Sequence, residues 1–215
     1  MEMMRTPMAT FKKFKTAGLI VLLLFTLTDG YLWYEIFSKK PATAPRHYEW
    51  TGKGGTSQLF VLQGGANVLI DAGGVAGGTA TSSSLDAALG GATYIDIAVI
   101  GNMEEASWDG FSAMMDHYSF GAFLYNGREP ATGEWRAFLS KVRAKHIPLV
   151  TIGAGDSIHY AGNTIDFLSP DTEFAHSPDP KDAGLVEHIT NSAFQMLITA
   201  DVGKNVEDFL AEPAR

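Results

Sequence analysis

Carboxylates are the side chains here best able to do chemistry. Glu104, Glu105 and Asp109 crowd the segment MEEASWDG, and with Asp201 they offer the oxygen ligands that a hard cation such as Ca²⁺ or Mg²⁺ takes. Their spacing is not that of an EF-hand loop, so a solvated acidic loop is the competing reading. Asp71 closes the run NVLIDAG, where an aspartate ordinarily bonds the backbone of the glycine-rich stretch after it. The segment GKGGTS at 52–57 has the glycines of a phosphate loop without the GxxxxGK[ST] spacing, and reads as a turn before a strand. Ser82 to Ser84 lack a GxSxG elbow and read as loop and helix cap. His47, His117, His146, His159, His176 and His188 form no HExxH or other paired ligand spacing. The chain has no cysteine, which excludes disulfides, thiolate metal sites and a cysteine nucleophile.

The elements that must position these groups begin after an apolar segment. Ala17 to Leu27 reads AGLIVLLLFTL without a charge, and weaker apolar sequence continues to Phe37, interrupted by Asp29 and Glu35. Taken as 17–37 the segment has the length of a transmembrane helix, about 20 residues. Tyr31, Trp33 and Tyr34 then make an interfacial belt, while Arg5, Lys12, Lys13 and Lys15 keep residues 1–16 in the cytoplasm. The expected arrangement is a single pass of the cytoplasmic membrane with the C-terminal domain outside. A cleaved signal peptide fits the same pattern, and a buried soluble helix is a third reading.

Residues 38–47, SKKPATAPRH, read as a linker, which leaves 48–215 as one domain. Its 168 or so residues suffice for one core and not for two large ones. With 16 Lys+Arg against 24 Asp+Glu, the net charge of -8 opposes wholesale binding of nucleic acid through phosphates.

Within the domain, 58–62 and 67–73 predict a hairpin, and 73–84, nearly all Gly, Ala, Ser and Thr, predicts a loop before a short helix ending at Gly90. Strands follow at 94–101 and 121–127, and helices at 106–118 and 132–146. The second helix has Thr132 as cap and an apolar face of Trp135, Phe138, Leu139 and Val142. Trp108, Phe111, Met114 and Met115 on the first read as core at helical spacing, or as a face for a partner. A strand from Pro148, a hairpin at 156–170 turning at Ala161 to Asn163, strands at 184–189 and 194–201 and a helix at 205–210 complete the chain. Strand-helix alternation beside hairpins makes this an α/β protein of mixed sheets with outer helices.

This order of elements resembles the metallo-β-lactamase-like domain of bacterial competence DNA-uptake channel proteins and of small membrane-anchored relatives. LIDAGG (69–74) matches the family's LIDGG; TGKGG (51–55) stands at VGQGD, IDIAVIGN (95–102) at IDVLVLTH, and MLITAD (196–201) at FLLTGD. The resemblance covers about residues 48–210 and implies a domain abbreviated toward Arg215. It places Asn102, Glu104, Ala106 and Ser107 at the family's HxHxDH metal motif, so all three histidines and the aspartate are absent. Asp201 keeps the family's metal-bridging position, and Asp71 falls where the family implies a catalytic or supporting carboxylate.

A two-metal hydrolase needs imidazole and carboxylate ligands around an activated water. Losing four of them together implies a catalytically inactive module of binding or envelope assembly, with no catalytic, cofactor or metal residues and a protein partner or self-association. The alternative is a phosphodiesterase or nuclease of the DNA-uptake type, using Zn, Mn or Mg held by Asp201, Glu104, Asp109 and Asp71. A secreted binding protein released by signal cleavage is a third reading.

Overall fold

The computed structural model describes residues 21–34, 44–52, 55–73 and 79–212, of which 79–83 by backbone alone. Residues 1–16, the two ends of the expected 17–37 span and most of the linker lie outside them. The chain divides into two units, Met1–Pro41 and Ala42–Arg215. In the first, residues 21–34 form helix α1, in which the Thr26 and Thr28 hydroxyls donate to carbonyls one turn back. Tyr31, Trp33 and Tyr34 are exposed on it. No helix of the described residues is long and apolar enough to cross a membrane.

In the second unit, successive residues of a strand are apolar on both faces, which requires a sheet covered on two sides. Along β2 (Gly55–Val61), Leu59 and Val61 join one core while Phe60 joins another. Along β3 (Asn67–Ile70), Leu69 goes with the first core and Val68 and Ile70 with the second. These strands belong to a six-stranded sheet in which β1 (Arg46–Gly52), β2 and β3 run antiparallel as neighbours. β4 (Tyr94–Val99), β5 (Ser119–Tyr125) and β6 (Leu149–Thr151) then add in parallel. The helices α2 (Thr79–Ala88), α3 (Glu105–Met114) and α4 (Gly133–Ala144) are the crossovers that parallel pairing demands.

Those helices supply the outer layer of the first core. Trp108 and Phe111 of α3 and Trp135 and Phe138 of α4 are buried there, with the Trp108 and Trp135 rings edge to face at 5.2 Å. The aromatic and methionine face of α3 is therefore interior. Thr132 caps α4 as expected, its hydroxyl accepting from the Trp135 N–H at 3.2 Å.

The second core lies between this sheet and a four-stranded antiparallel sheet of order β10-β9-β8-β7. Its strands are β7 (Ser157–Tyr160), β8 (Asn163–Ser169), β9 (Val186–Thr190) and β10 (Gln195–Ile198). Ile165, Phe167, Ile189 and Ile198 face Phe60, Ile70, Val99 and Leu124 across the gap. Beyond them α5 (Thr172–Ala175) and α6 (Lys204–Ala211) form the last layer, where Val206 packs on Val186 and Val202. The order is helix, sheet, sheet, helix.

Two local expectations change. α2 begins at Thr79, inside the stretch read as loop up to Ser84; Leu85 and Ala88 are buried in the first core, and that packing overrides the weak helix propensity of serine and threonine. β1 begins at Arg46, paired with Val61, so His47 sits in a strand, its ring stacked on Phe60 at 4.5 Å.

Candidate functional site

The parallel strands end side by side, and the crevice outside their carboxyl ends is where α/β sheets place ligands. Here it opens as a cleft of about 500 Å³ lined by residues of β1, β2 and β10 and by the loops after β3, β4 and β10. Asp71, Asn102, Glu104, Ala106, Ser107 and Asp201 all line it. The positions that the family resemblance equates with a metal motif thus converge in space, although no strand joins 71, 102–107 and 201. Asp109 is exposed on α3 and is not part of the lining. No histidine lines the cleft either. His117 and His146 follow α3 and α4, His159 and His188 lie on β7 and β9, and His176 caps α5.

Asp71 takes a left-handed backbone conformation with φ 55°. Its carboxylate crosses to the end of β4 and accepts from the Gly101 N–H at 2.7 Å. Burial pushes this acid up to about 7, against the opposing pull of the Gly101 N–H and the Ser107 hydroxyl. Ala200 and Asp201 are also left-handed, with φ 38° and 55°. Three non-glycine residues strained in this way around one cleft mark a place where the chain is held against its local preference.

What holds it is the Asn102 amide. Its Nδ2 donates to the Ala200 carbonyl at 2.8 Å, while its Oδ1 accepts from the Glu104 N–H at 2.9 Å and from the Ser107 hydroxyl at 3.0 Å. The Asn102 amide therefore ties the loop before Asp201 to Glu104 and Ser107 at the start of α3, while Asp71 is tied to the end of β4 through Gly101.

The donors present do not fit a pair of transition metals. Ala106 has no ligating atom, both ends of the Asn102 amide are occupied, and the Asp201 carboxylate faces Lys181 Nζ at 2.8 Å. Among the described residues no three His, Asp or Glu gather as ligands. Of the four carboxylates proposed for a hard cation, Asp71, Glu104 and Asp201 share the cleft and Asp109 does not.

Sequence reasoning missed Glu187. It sits on β9, fully buried, with neither carboxylate oxygen hydrogen-bonded. Burial pushes it up to about 8, and the charge of Asp71 adds to that. The strand reading of GLVEHI already contained the signal, because Glu187 has the parity of Ile189, and Ile189 is an inward residue of the second core.

No protein-family description matches this chain, and no curated protein does. Solved structures do. The diiron β-hydroxylase CmlA from Streptomyces venezuelae superposes with a TM-score of 0.50 at 14% identity, over 76% of this chain and 31% of that one. The metallo-β-lactamase fold protein YhfI from Bacillus subtilis gives 0.44 at 15% identity, over 67% and 54%. A metallo-β-lactamase from Staphylococcus aureus gives 0.45 at 15%, over 74% and 44%. At this identity the likeness to CmlA is one of fold alone. This chain spans between about a third and a half of the length of these proteins.

Proposed function

We propose that this chain is a membrane-anchored, non-catalytic module of the metallo-β-lactamase fold that binds or assembles with a protein outside the cytoplasmic membrane. The observation that carries the reading is the Asn102 network: at the positions where the fold family implies metal ligands, an asparagine and a serine cross-link the loops by hydrogen bonds instead. Anchoring is supported by the uncharged run Ala17 to Leu27 behind Arg5, Lys12, Lys13 and Lys15. LIDAGG supports kinship with the competence DNA-uptake domains. A phosphodiesterase reading needs Zn, Mn or Mg to offset Glu49, Asp71, Glu104 and Asp201 before an anionic phosphodiester could enter, and it is opposed by the engaged donors: Asp201 already faces Lys181, and both ends of the Asn102 amide are taken.

The test is the metal content of the full chain in mild detergent, by elemental mass spectrometry, after exposure to Zn²⁺, Mn²⁺, Mg²⁺ and Ca²⁺ and desalting. No retained metal is expected; retention near one equivalent or more would overturn the non-catalytic reading. Carbonate extraction of membranes tests the anchor, with the intact chain expected in the pellet and release into the supernatant counting against it.

A further inference from the structure

One wall of the cleft is a sheet edge. β10 closes the four-stranded sheet, pairing with β9 through Gln195↔Thr190, Met196↔Ile189, Leu197↔His188 and Ile198↔Glu187, and on its other side no described strand adjoins it. Leu197, Ile198 and Thr199 line the cleft, so the unpaired side of this strand borders an open groove. Edges are ordinarily blunted with charge, proline or bulges. β6 follows Pro148 and β1 carries Arg46, His47 and Glu49, whereas Phe194 to Thr199 has neither charge nor proline, and Leu197 is 50% exposed. Across the groove stand β1 and β2, with Glu49 and Gln58, and at its floor Asp71 and Glu104.

From this we infer that the cleft takes an extended peptide segment carrying a lysine or arginine, which adds to the free edge of β10 as a further strand and sets its cation beside Glu49 and Glu104, the Asp201 carboxylate being already paired with Lys181. Main-chain hydrogen bonds to an edge give such a complex its affinity, and pockets for alternate side chains give it selectivity. The charge of the groove chooses the occupant: a second copy of this chain would bring the same neutral edge and the same four lining carboxylates, and two molecules of net charge -8 repel. The inference rests on the non-catalytic reading, because a metal seated among these carboxylates would cancel the charge that attracts the peptide.

The experiment screens the full chain in mild detergent against a positional-scanning library of acetylated hexapeptides, with metal content measured on the same preparation. Lys or Arg is expected to be preferred over Glu at one position by about tenfold or more. N-methylation of alternate residues in the best peptide should abolish binding. Leu197→Lys, a change at a half-exposed edge residue, should weaken the best peptide at least about tenfold, and Glu49→Gln with Glu104→Gln should erase the cationic preference. Deuterium exchange should slow at Met196 to Thr199 when peptide is added. No cationic preference, or binding indifferent to N-methylation and to Leu197→Lys, would overturn the inference, as would a dimer in ultracentrifugation that Leu197→Lys dissociates. Metal-free protein with no cationic preference sinks the peptide inference alone; retained metal sinks the non-catalytic reading whatever the peptides do.

Discussion

Asn102 and Asn126 occupy equivalent places at the ends of β4 and β5 and make the same two kinds of bond. Each sends its Nδ2 to a carbonyl of the C-terminal half, Ala200 at 2.8 Å and Ala183 at 2.6 Å. Each accepts at Oδ1 from the backbone N–H two residues on, Glu104 at 2.9 Å and Arg128 at 3.0 Å. Both are buried. The two amides therefore brace adjacent parallel strands against the loops of the four-stranded sheet, and Asn102 does at the cleft what Asn126 does away from it.

Removing either amide strands a buried carbonyl and a backbone N–H. Asn102→Ala and Asn126→Ala should each cost about 1–3 kcal/mol in urea unfolding. Because each binds different loops, the double variant should lose close to the sum. If Asn102→Ala left stability unchanged while Asn126→Ala lowered it, Asn102 would not be a brace.

Glu187 and Asp71 set a dependence on pH of unusual sign. Burial holds their folded values at about 8 and about 7, above the ordinary carboxylate range, so the folded state retains protons that the unfolded chain has released. Between the ordinary carboxylate range and each raised folded value the folded form binds more protons, and linkage makes stability fall as pH rises. At those values the protein should lose on the order of 6 kcal/mol from pH 5 to pH 8 through these groups. Glu187→Gln should match the parent near the acid end, exceed it at the alkaline end and flatten the profile of melting temperature against pH. A parent more stable at pH 8 than at pH 5, with Glu187→Gln following it, would refute the assignment.

The alternation of strand and helix, the hairpins and the Thr132 cap were legible because each depends on residues adjacent in sequence. The convergence of 71, 102–107 and 201 was legible only through LIDAGG and its neighbours, since nothing local ties Asp71 to the end of β4. What escaped was long-range. Asp71 reaches Gly101 because the parallel pairing of β3 and β4, with Ile70 beside Val99, brings the two strand ends together. Asn126 drew no notice because its partner, Ala183, is supplied by a distant loop. Glu187 went unread because its burial depends on the second sheet facing the first.

Gly101 and Ala200 lie close together beside the cleft, and they are coupled. A Cβ added at Gly101 would lie 2.6 Å from the Ala200 Cβ, closer than atoms can approach without movement, and 3.0 Å from an Asp71 oxygen, a tight contact. Gly101→Ala should cost about 1–3 kcal/mol by overpacking. Ala200 itself is left-handed at φ 38°, a conformation glycine adopts without cost, so Ala200→Gly should remove backbone strain and leave stability level or raise it by up to about 1 kcal/mol. It also removes the nearer of the two obstacles to a Cβ at Gly101. The double variant should then be more stable than the two single effects predict, with a coupling of about 0.5–2 kcal/mol, the remaining cost coming from Asp71. Additive effects in urea unfolding would mean that the loop before Asp201 moves away freely, and the Asn102 bond to Ala200 would then not be holding it.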